Sequence, residues 1–515
     1  MKIHDIKTLG ELKKSGYKSQ SVKEELRKNL VQKIRNKENT FPGIIGYEDS
    51  VIPDTERAIL SRHNILFLGL RGQAKTRMAR QMTELLDEYI PVIHGSEIND
   101  DPLRPLSKYA KDQIAQHGDD TAIHWVHRSE RYGEKLATPD VSVADLIGDI
   151  DPIKAANLRL SFADELVIHY GIIPRSNRSI FVINEIPDLQ ARIQVALFNI
   201  LEEGDIQIRG FKLRMPLDIM FVFTANPEDY TNRGSIVTPL KDRIQSQILT
   251  HYPKDIETSL AITEQEAHLQ EDQKKINVSD LIKRLIEQVA FEARSNEYVD
   301  KKSGVSARLT IAAFENAVSS AERRAIIHGE KDTQVWVSDL AGIIPSITGK
   351  IELVYEGEQE GPYQVALNLV DKSIRSQFVQ YFPNPESMKK RKSTGKPSQA
   401  QKEDDNPYKE ITKWFDKGNH LDMFVDMKDA EKITALYKVE GLYGIVKKHF
   451  PRAHEKETAL MMEFVLHGLA AYSLISKKTI EGKIQFKDLI GSMMNLGQLS
   501  AEEDDDDNFN EDDYK

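Results

Sequence analysis

The stretch Phe67-Leu68-Gly69-Leu70-Arg71-Gly72-Gln73-Ala74-Lys75-Thr76 holds the residue types needed to grip a phosphate chain. Such a chain calls for inward-facing backbone N–H groups, a cation that reaches its outer oxygens and a hydroxyl that meets magnesium. Gly69, Gly72 and Gln73 supply a tight loop, Lys75 the cation and Thr76 the hydroxyl. Ala74 stands where the P-loop pattern has its second glycine, so a methyl group narrows the clearance beside the phosphates without removing the donor. Taken alone, the stretch also reads as a turn whose lysine caps a helix.

Three further segments follow in order. Ser179-Ile180-Phe181-Val182-Ile183-Asn184-Glu185 is an apolar strand that ends in an amide and a carboxylate. In P-loop ATPases the first acidic residue of such a strand end orients hydrated magnesium and the glutamate after it activates the attacking water, whereas taken alone an Asn-Glu strand end also reads as structural. Asn184 can accept a hydrogen bond from a magnesium-bound water but brings no formal charge, which leaves Glu185 as the candidate base. The apolar run 219–226 delivers Asn226 to the same sheet edge, where an amide can position water against a γ-phosphate. Thr238-Pro239-Leu240-Lys241-Asp242-Arg243 precedes another apolar run, and Arg243 could reach a neighbouring subunit's nucleotide or simply form a surface ion pair.

These groups need a sheet to hold them. Short apolar runs at 63–69, 90–94, 179–184, 219–226 and 244–252 alternate with helical stretches, the pattern of buried parallel strands, so residues 41–255 are predicted to form an α/β nucleotide-binding core. Helical periodicity over 278–347 predicts an all-α lid within 256–350, followed by a mixed extension at 351–382. Residues 383–406, with three prolines and the Lys389-Lys390-Arg391-Lys392 cluster, read as a flexible linker. A second helical module is expected over 407–497 and a disordered acidic tail over 498–515. Residues 1–40 read as a basic helical lead-in, either a solvated helix face or a dock for an acidic partner or for the tail.

In this order the elements resemble an AAA+ ATPase of the magnesium chelatase I-subunit and MoxR type, over roughly residues 41–350. The leading segment Phe41-Pro42-Gly43-Ile44-Ile45-Gly46-Tyr47-Glu48 resembles the one that lies beside adenine in that family, and 138–151 resembles its helix-2 insertion. Residues 187–205 match the helix after the Walker B strand, and 206–216 the hairpin before sensor 1. The resemblance implies ATP and Mg2+ as ligands, with Lys75 and Thr76 as Walker A, Asn184 and Glu185 as Walker B, Asn226 as sensor 1 and Arg243 as the arginine finger. Arg308, in Ser306-Ala307-Arg308-Leu309-Thr310, falls where the family keeps sensor 2, although its spacing departs from the chelatase subunits; an ion pair at a helix N-terminus is the alternative. The resemblance also implies a homo-oligomeric ring, six subunits by analogy, and a partner protein with a von Willebrand A domain.

Composition narrows the function classes. The chain of 515 residues has a net charge of −11, of which −8 sits in the last fifteen residues, so bulk charge does not suit a nucleic-acid coat. Nucleic acid is thus a possible but unfavoured partner. Cysteine is absent, which excludes disulfides and thiolate chemistry. No apolar run approaches a membrane span and the first residues lack a secretory apolar core, so the expected location is cytoplasmic. His124 and His127 are three apart in a strand-like segment and read as structural. The leading expectation is an ATP-driven remodelling motor or chaperone acting on a protein or metal-cofactor assembly. The alternatives are a nucleotide-gated scaffold with weak hydrolysis, prompted by Asn184 and Ala74, and a helicase-like DNA motor, prompted by Arg209, Lys212 and Arg214.

Overall fold

Four of the five apolar runs become strands of one parallel sheet. In the computed structural model the sheet consists of β1 (Ile65–Leu68), β2 (Tyr132–Leu136), β3 (Ser179–Asn184), β4 (Ile219–Ala225) and β5 (Ser246–Leu249), in the order β5-β1-β4-β3-β2. The run at 90–94 lies outside this sheet, because Tyr89–Ile93 pairs antiparallel with Ile123–His127. Its place is taken by β2, a half-exposed edge strand whose Tyr-Gly-Glu-Lys-Leu sequence carries no apolar run. The structure describes residues 5–162, 164–208, 214–227, 235–386, 406–480 and 482–489. The expected hairpin tip with Arg209 and Lys212, the Lys389–Lys392 cluster and the acidic tail lie outside the described residues.

The chain divides into two compact units, Met1–Pro253 and Lys254–Lys515. In the first, β3 and β4 are buried along their whole length and alternate between two cores, as strands covered on both faces must. Phe181, Phe221 and Phe223 pack with Ile173, Ile193 and Leu240 on one face. Ile180, Val182 and Val222 pack with Phe67 and Met78 on the other.

The basic lead-in is a layer of this second face. Helix α1 (Val22–Arg35), capped by Ser21, buries Val22, Leu26 and Leu30 against Phe67 and Val222, while Lys28 stays exposed. Asp218, just before β4, accepts the backbone N–H of Val22 at 2.8 Å. Burial raises its carboxyl to about 6, against about 3.9 in the unfolded chain. The folded protein therefore binds this proton more tightly, so the stabilisation is full below pH 4 and is lost as pH rises through 6. Asp218→Asn is expected to be more stable than the parent by up to about 3 kcal/mol above pH 7 and no more stable at pH 4, read from urea midpoints across pH.

The second unit is built on α3 (Asp280–Ser295), α4 (Arg308–His328), α5 (Pro362–Tyr381) and α6 (Glu455–Ala471). Residues 351–382 thus hold a long helix: Pro362 sits in its first turn, and Val365, Leu369 and Phe378 face inward. From residue 406 onward, a small antiparallel sheet of Leu421–Phe424, Lys483–Lys487 and Ser476–Ile480 accompanies the expected helices. Residues on either side of 387–405 share one hydrophobic cluster, from Leu281 to Phe486. A buried polar network crosses the same boundary. Arg324 bonds to Asp339 and to Gln334 O at 2.7 Å, Lys432 donates to Ser338 Oγ at 2.7 Å, and Glu463 accepts the N–H groups of Val337 and Ser338 at 2.9 and 3.1 Å. Among the described residues no helix is long and apolar enough to cross a membrane.

Candidate functional site

The loop between β1 and helix α2 (Lys75–Gln81) turns back through left-handed backbone at Gly72 and at Ala74, where φ is 55°. A glycine would adopt that conformation freely, whereas an alanine holds it under strain, so Ala74 departs from the P-loop pattern in backbone energy as well as clearance. The loop is pinned from several sides. Gly69 N–H donates to Ala225 O at 3.1 Å, and a Cβ at Gly69 would collide with Thr250 Oγ1 and Gln73 Oε1. Thr250 donates to buried Gln73 Oε1 at 2.6 Å, and the Tyr47 hydroxyl reaches the carbonyls of Gln73 and His251, each at 2.9 Å.

Three elements then meet at the loop. Lys75, 7% exposed, donates from Nζ to the carbonyls of Gly69 and Leu70 and to Asn226 Oδ1 at 2.6 Å. Asn226, at the end of β4, donates from Nδ2 to Glu185 Oε2 at 2.8 Å. Glu185 follows β3 in left-handed backbone, φ 55°, and its N–H is held by Thr224 Oγ1 at 3.1 Å. A non-glycine residue in that region stores strain of order 1–3 kcal/mol, which the surrounding contacts must sustain.

Asn184 joins the same cluster from the last position of β3. Its Oδ1 accepts the hydroxyls of Thr76 at 3.3 Å and Thr224 at 3.1 Å, and its Nδ2 donates to Glu134 Oε1 at 2.6 Å. Glu134, on β2, is a site-lining acid that the sequence reading missed, because the strand carrying it lacks an apolar signal. Its Oε2 accepts from Arg80 of α2 and from the Tyr132 hydroxyl, both at 2.9 Å. Burial, followed by the bond to Glu134, pushes the Tyr132 phenol up, and the bond to Glu134 does the same for Arg80, so both remain donors.

Lys75, Thr76, Asn184, Glu185 and Asn226 are therefore brought together. Arg243 follows the short helix Thr238–Asp242, where it pairs with Glu202 at 2.6 Å, donates to Pro239 O at 2.9 Å and lies 4.9 Å from the Phe198 ring centroid. Arg308 is exposed at the first residue of α4, in the other unit. The strands flanking the hairpin pair as expected, Asp205–Gln207 with Arg214–Pro216, and Arg214 is exposed. His124 stands beside His94 with ring centroids 5.8 Å apart, and His127 Nδ1 meets Ser129 Oγ at 2.8 Å.

The cluster fits a phosphate chain with magnesium by the chemistry of its groups: a buried ammonium, a glycine turn without room for side chains, and hydroxyl and amide oxygens. Magnesium keeps several waters and borrows few protein oxygens, so a sparse oxygen set suits it. Among the described residues no group of three or more His, Asp or Glu side chains could hold a metal alone. The strand order, with the loop strand and the acid strand on either side of β4, gives this region the parallel α/β fold expected of a P-loop AAA+ core.

No family model matches the chain, and no curated protein matches its sequence. Solved structures similar to it include a Cytophaga hutchinsonii protein assigned as an ATPase, at 17% identity over 70% of this chain and 97% of that one, with a TM-score of 0.28. The BchI–BchD complex of magnesium chelatase is 18% identical over 62% of this chain and 98% of that one, TM-score 0.32. NtrX from Brucella abortus in complex with ADP is 12% identical over 74% and 71%, TM-score 0.36.

Proposed function

We propose that this protein is an ATP-hydrolysing AAA+ remodelling motor that uses the Lys75 loop to bind ATP with Mg2+. The observation that carries the reading is the chain from Lys75 through Asn226 to Glu185, with links of 2.6 and 2.8 Å between residues drawn from three separate elements. A lysine that caps a turn for structural reasons alone has no need of an amide and an acid from the two adjacent strand ends.

In this reading Lys75 turns from the loop carbonyls to the outer phosphate oxygens, and the loop N–H groups hold the rest of the chain. Bound magnesium would supply the positive charge that draws electron density from the phosphate oxygens. Thr76 and Asn184 present oxygens on that side, Asn226 orients the attacking water, and Glu185 takes its proton at a carboxylate oxygen. Arg243 would serve a neighbouring subunit, which requires it to leave Glu202; a ring supplies such a neighbour, six subunits by analogy. Arg308 is assigned to the γ-phosphate as sensor 2. A partner with a von Willebrand A domain, and a protein or metal-cofactor assembly as client, belong to the same reading.

Equilibrium binding of a fluorescent ATP analogue tests it. The parent should bind saturably, and Lys75→Ala should weaken binding roughly thirty- to a hundredfold, the ~2–3 kcal/mol of a hydrogen bond to a charged group. Absence of saturable binding by the parent would remove the reading.

A further inference from the structure

In Asn184 the chain has an amide where the resembled family has an acid, and an amide has two unlike ends. Only its Oδ1 can accept from a magnesium-bound water or face a cation; its Nδ2, turned the same way, would repel both. Something must decide which end faces Thr76. The two threonine hydroxyls cannot, since a hydroxyl donates or accepts as required. Glu134 can, because an ionised carboxylate only accepts: at 2.6 Å from Oε1 it admits Nδ2 alone.

We propose that Glu134 is a positioning residue that fixes the Asn184 amide with Oδ1 toward Thr76, and so makes an acceptor for the magnesium side of the site out of a residue that lacks charge. The inference rests on the nucleotide reading above and deepens it. Glu134 is itself held against rotation, because Arg80 and Tyr132 both donate to its other oxygen at 2.9 Å. Arg80 belongs to α2, the helix that Lys75 and Thr76 open, so the same contact ties the edge strand to the loop. β2 pairs in register with β3, Leu136 opposite Asn184, which brings the Glu134 carboxylate alongside the end of the neighbouring strand. Glu134 also brings a negative charge one amide away from the position where the acid is missing, though Arg80 offsets part of it.

The proposal predicts that the effect of removing Glu134 is lost or reversed once residue 184 is an acid. With Asn184 present, removing Glu134 frees the amide to flip. With aspartate at 184 there is nothing to orient, and Glu134 opposes a second carboxylate at close range. The test is Mn2+ affinity of the stoichiometric protein–ADP complex, read from the spin-resonance signal of the free ion, with Mn2+ standing in for Mg2+. Glu134→Ala should weaken Mn2+ binding about tenfold in the parent and strengthen it, or leave it unchanged, in the Asn184→Asp background. Glu134→Gln, which keeps the size but offers either a donor or an acceptor, should weaken it by an intermediate factor in the parent. Equal weakening in both backgrounds, or none in the parent, overturns the orienting role while nucleotide binding stands. If the parent does not bind ADP, the nucleotide reading and this inference fall together. Melting temperatures of the five proteins separate misfolding from a local effect.

Discussion

Glu185→Gln is expected to lower steady-state ATP turnover about 10²–10⁴-fold, the range contributed by a positioned general base, while affinity for nucleotide is preserved. The geometry explains why the effect should be so selective. Glu185 Oε2 accepts from Asn226 Nδ2 at 2.8 Å, and a glutamine keeps an oxygen for that bond. Lys75 keeps its own bond to Asn226 Oδ1, so the loop and the end of β4 are undisturbed. What disappears is the capacity to take a proton. Phosphate release at saturating ATP and millimolar magnesium, set beside fluorescent-ATP binding, measures both halves. A parent that binds ATP and shows no turnover, alone or with a partner, would favour the nucleotide-gated scaffold over the motor.

The part of this site that was legible in the sequence is the part built from buried parallel strands. β3 and β4 are covered on both faces, so burial leaves continuous apolar runs, and the polar residue that ends each run falls at the sheet edge: Asn184 and Asn226. β1 carries the same signal into the glycine turn. β2 gives none, because an edge strand is half-exposed and pays no penalty for Glu134 or Lys135. The run at 90–94 misled for the complementary reason: its apolar residues are buried in a separate two-stranded sheet, and burial does not state which sheet a strand joins. Arg243 shows a further limit. Its place in the order of motifs was readable, but its pairing with Glu202, 41 residues earlier in the chain, comes from tertiary packing with no local signal. In the second unit, helical spacing announced α3 and α4. The union of segments on either side of 387–405 was not announced, since the polar network from Arg324 to Glu463 joins residues more than a hundred positions apart.

Glu25→Ala is expected to destabilise the first unit by about 3–5 kcal/mol, because it leaves the Arg131 guanidinium buried without its counter-charge. Arg131 is 1% exposed and meets both oxygens of Glu25 at 2.6 and 2.7 Å. Its Nε donates to Arg178 O at 2.9 Å, so the guanidinium joins α1 to the segment immediately before β3, and Arg131 itself immediately precedes β2. The pair therefore fastens the lead-in helix to the starts of the two strands that lead to Glu134, Asn184 and Glu185. A surface ion pair such as Lys13–Asp119, at 2.6 Å but more than half exposed on both sides, carries no such expectation: water replaces the lost partner. Replacing both partners by apolar residues, Glu25→Leu with Arg131→Met, should recover much of the loss, since the large term is the orphaned charge rather than the absent bond. Amide hydrogen exchange on the full chain reads the effect where it arises. Peptides from α1, β2 and β3 should lose protection in Glu25→Ala, those from α3 to α6 should keep theirs, and equal protection in parent and variant would show that the buried pair does not hold the lead-in to the sheet.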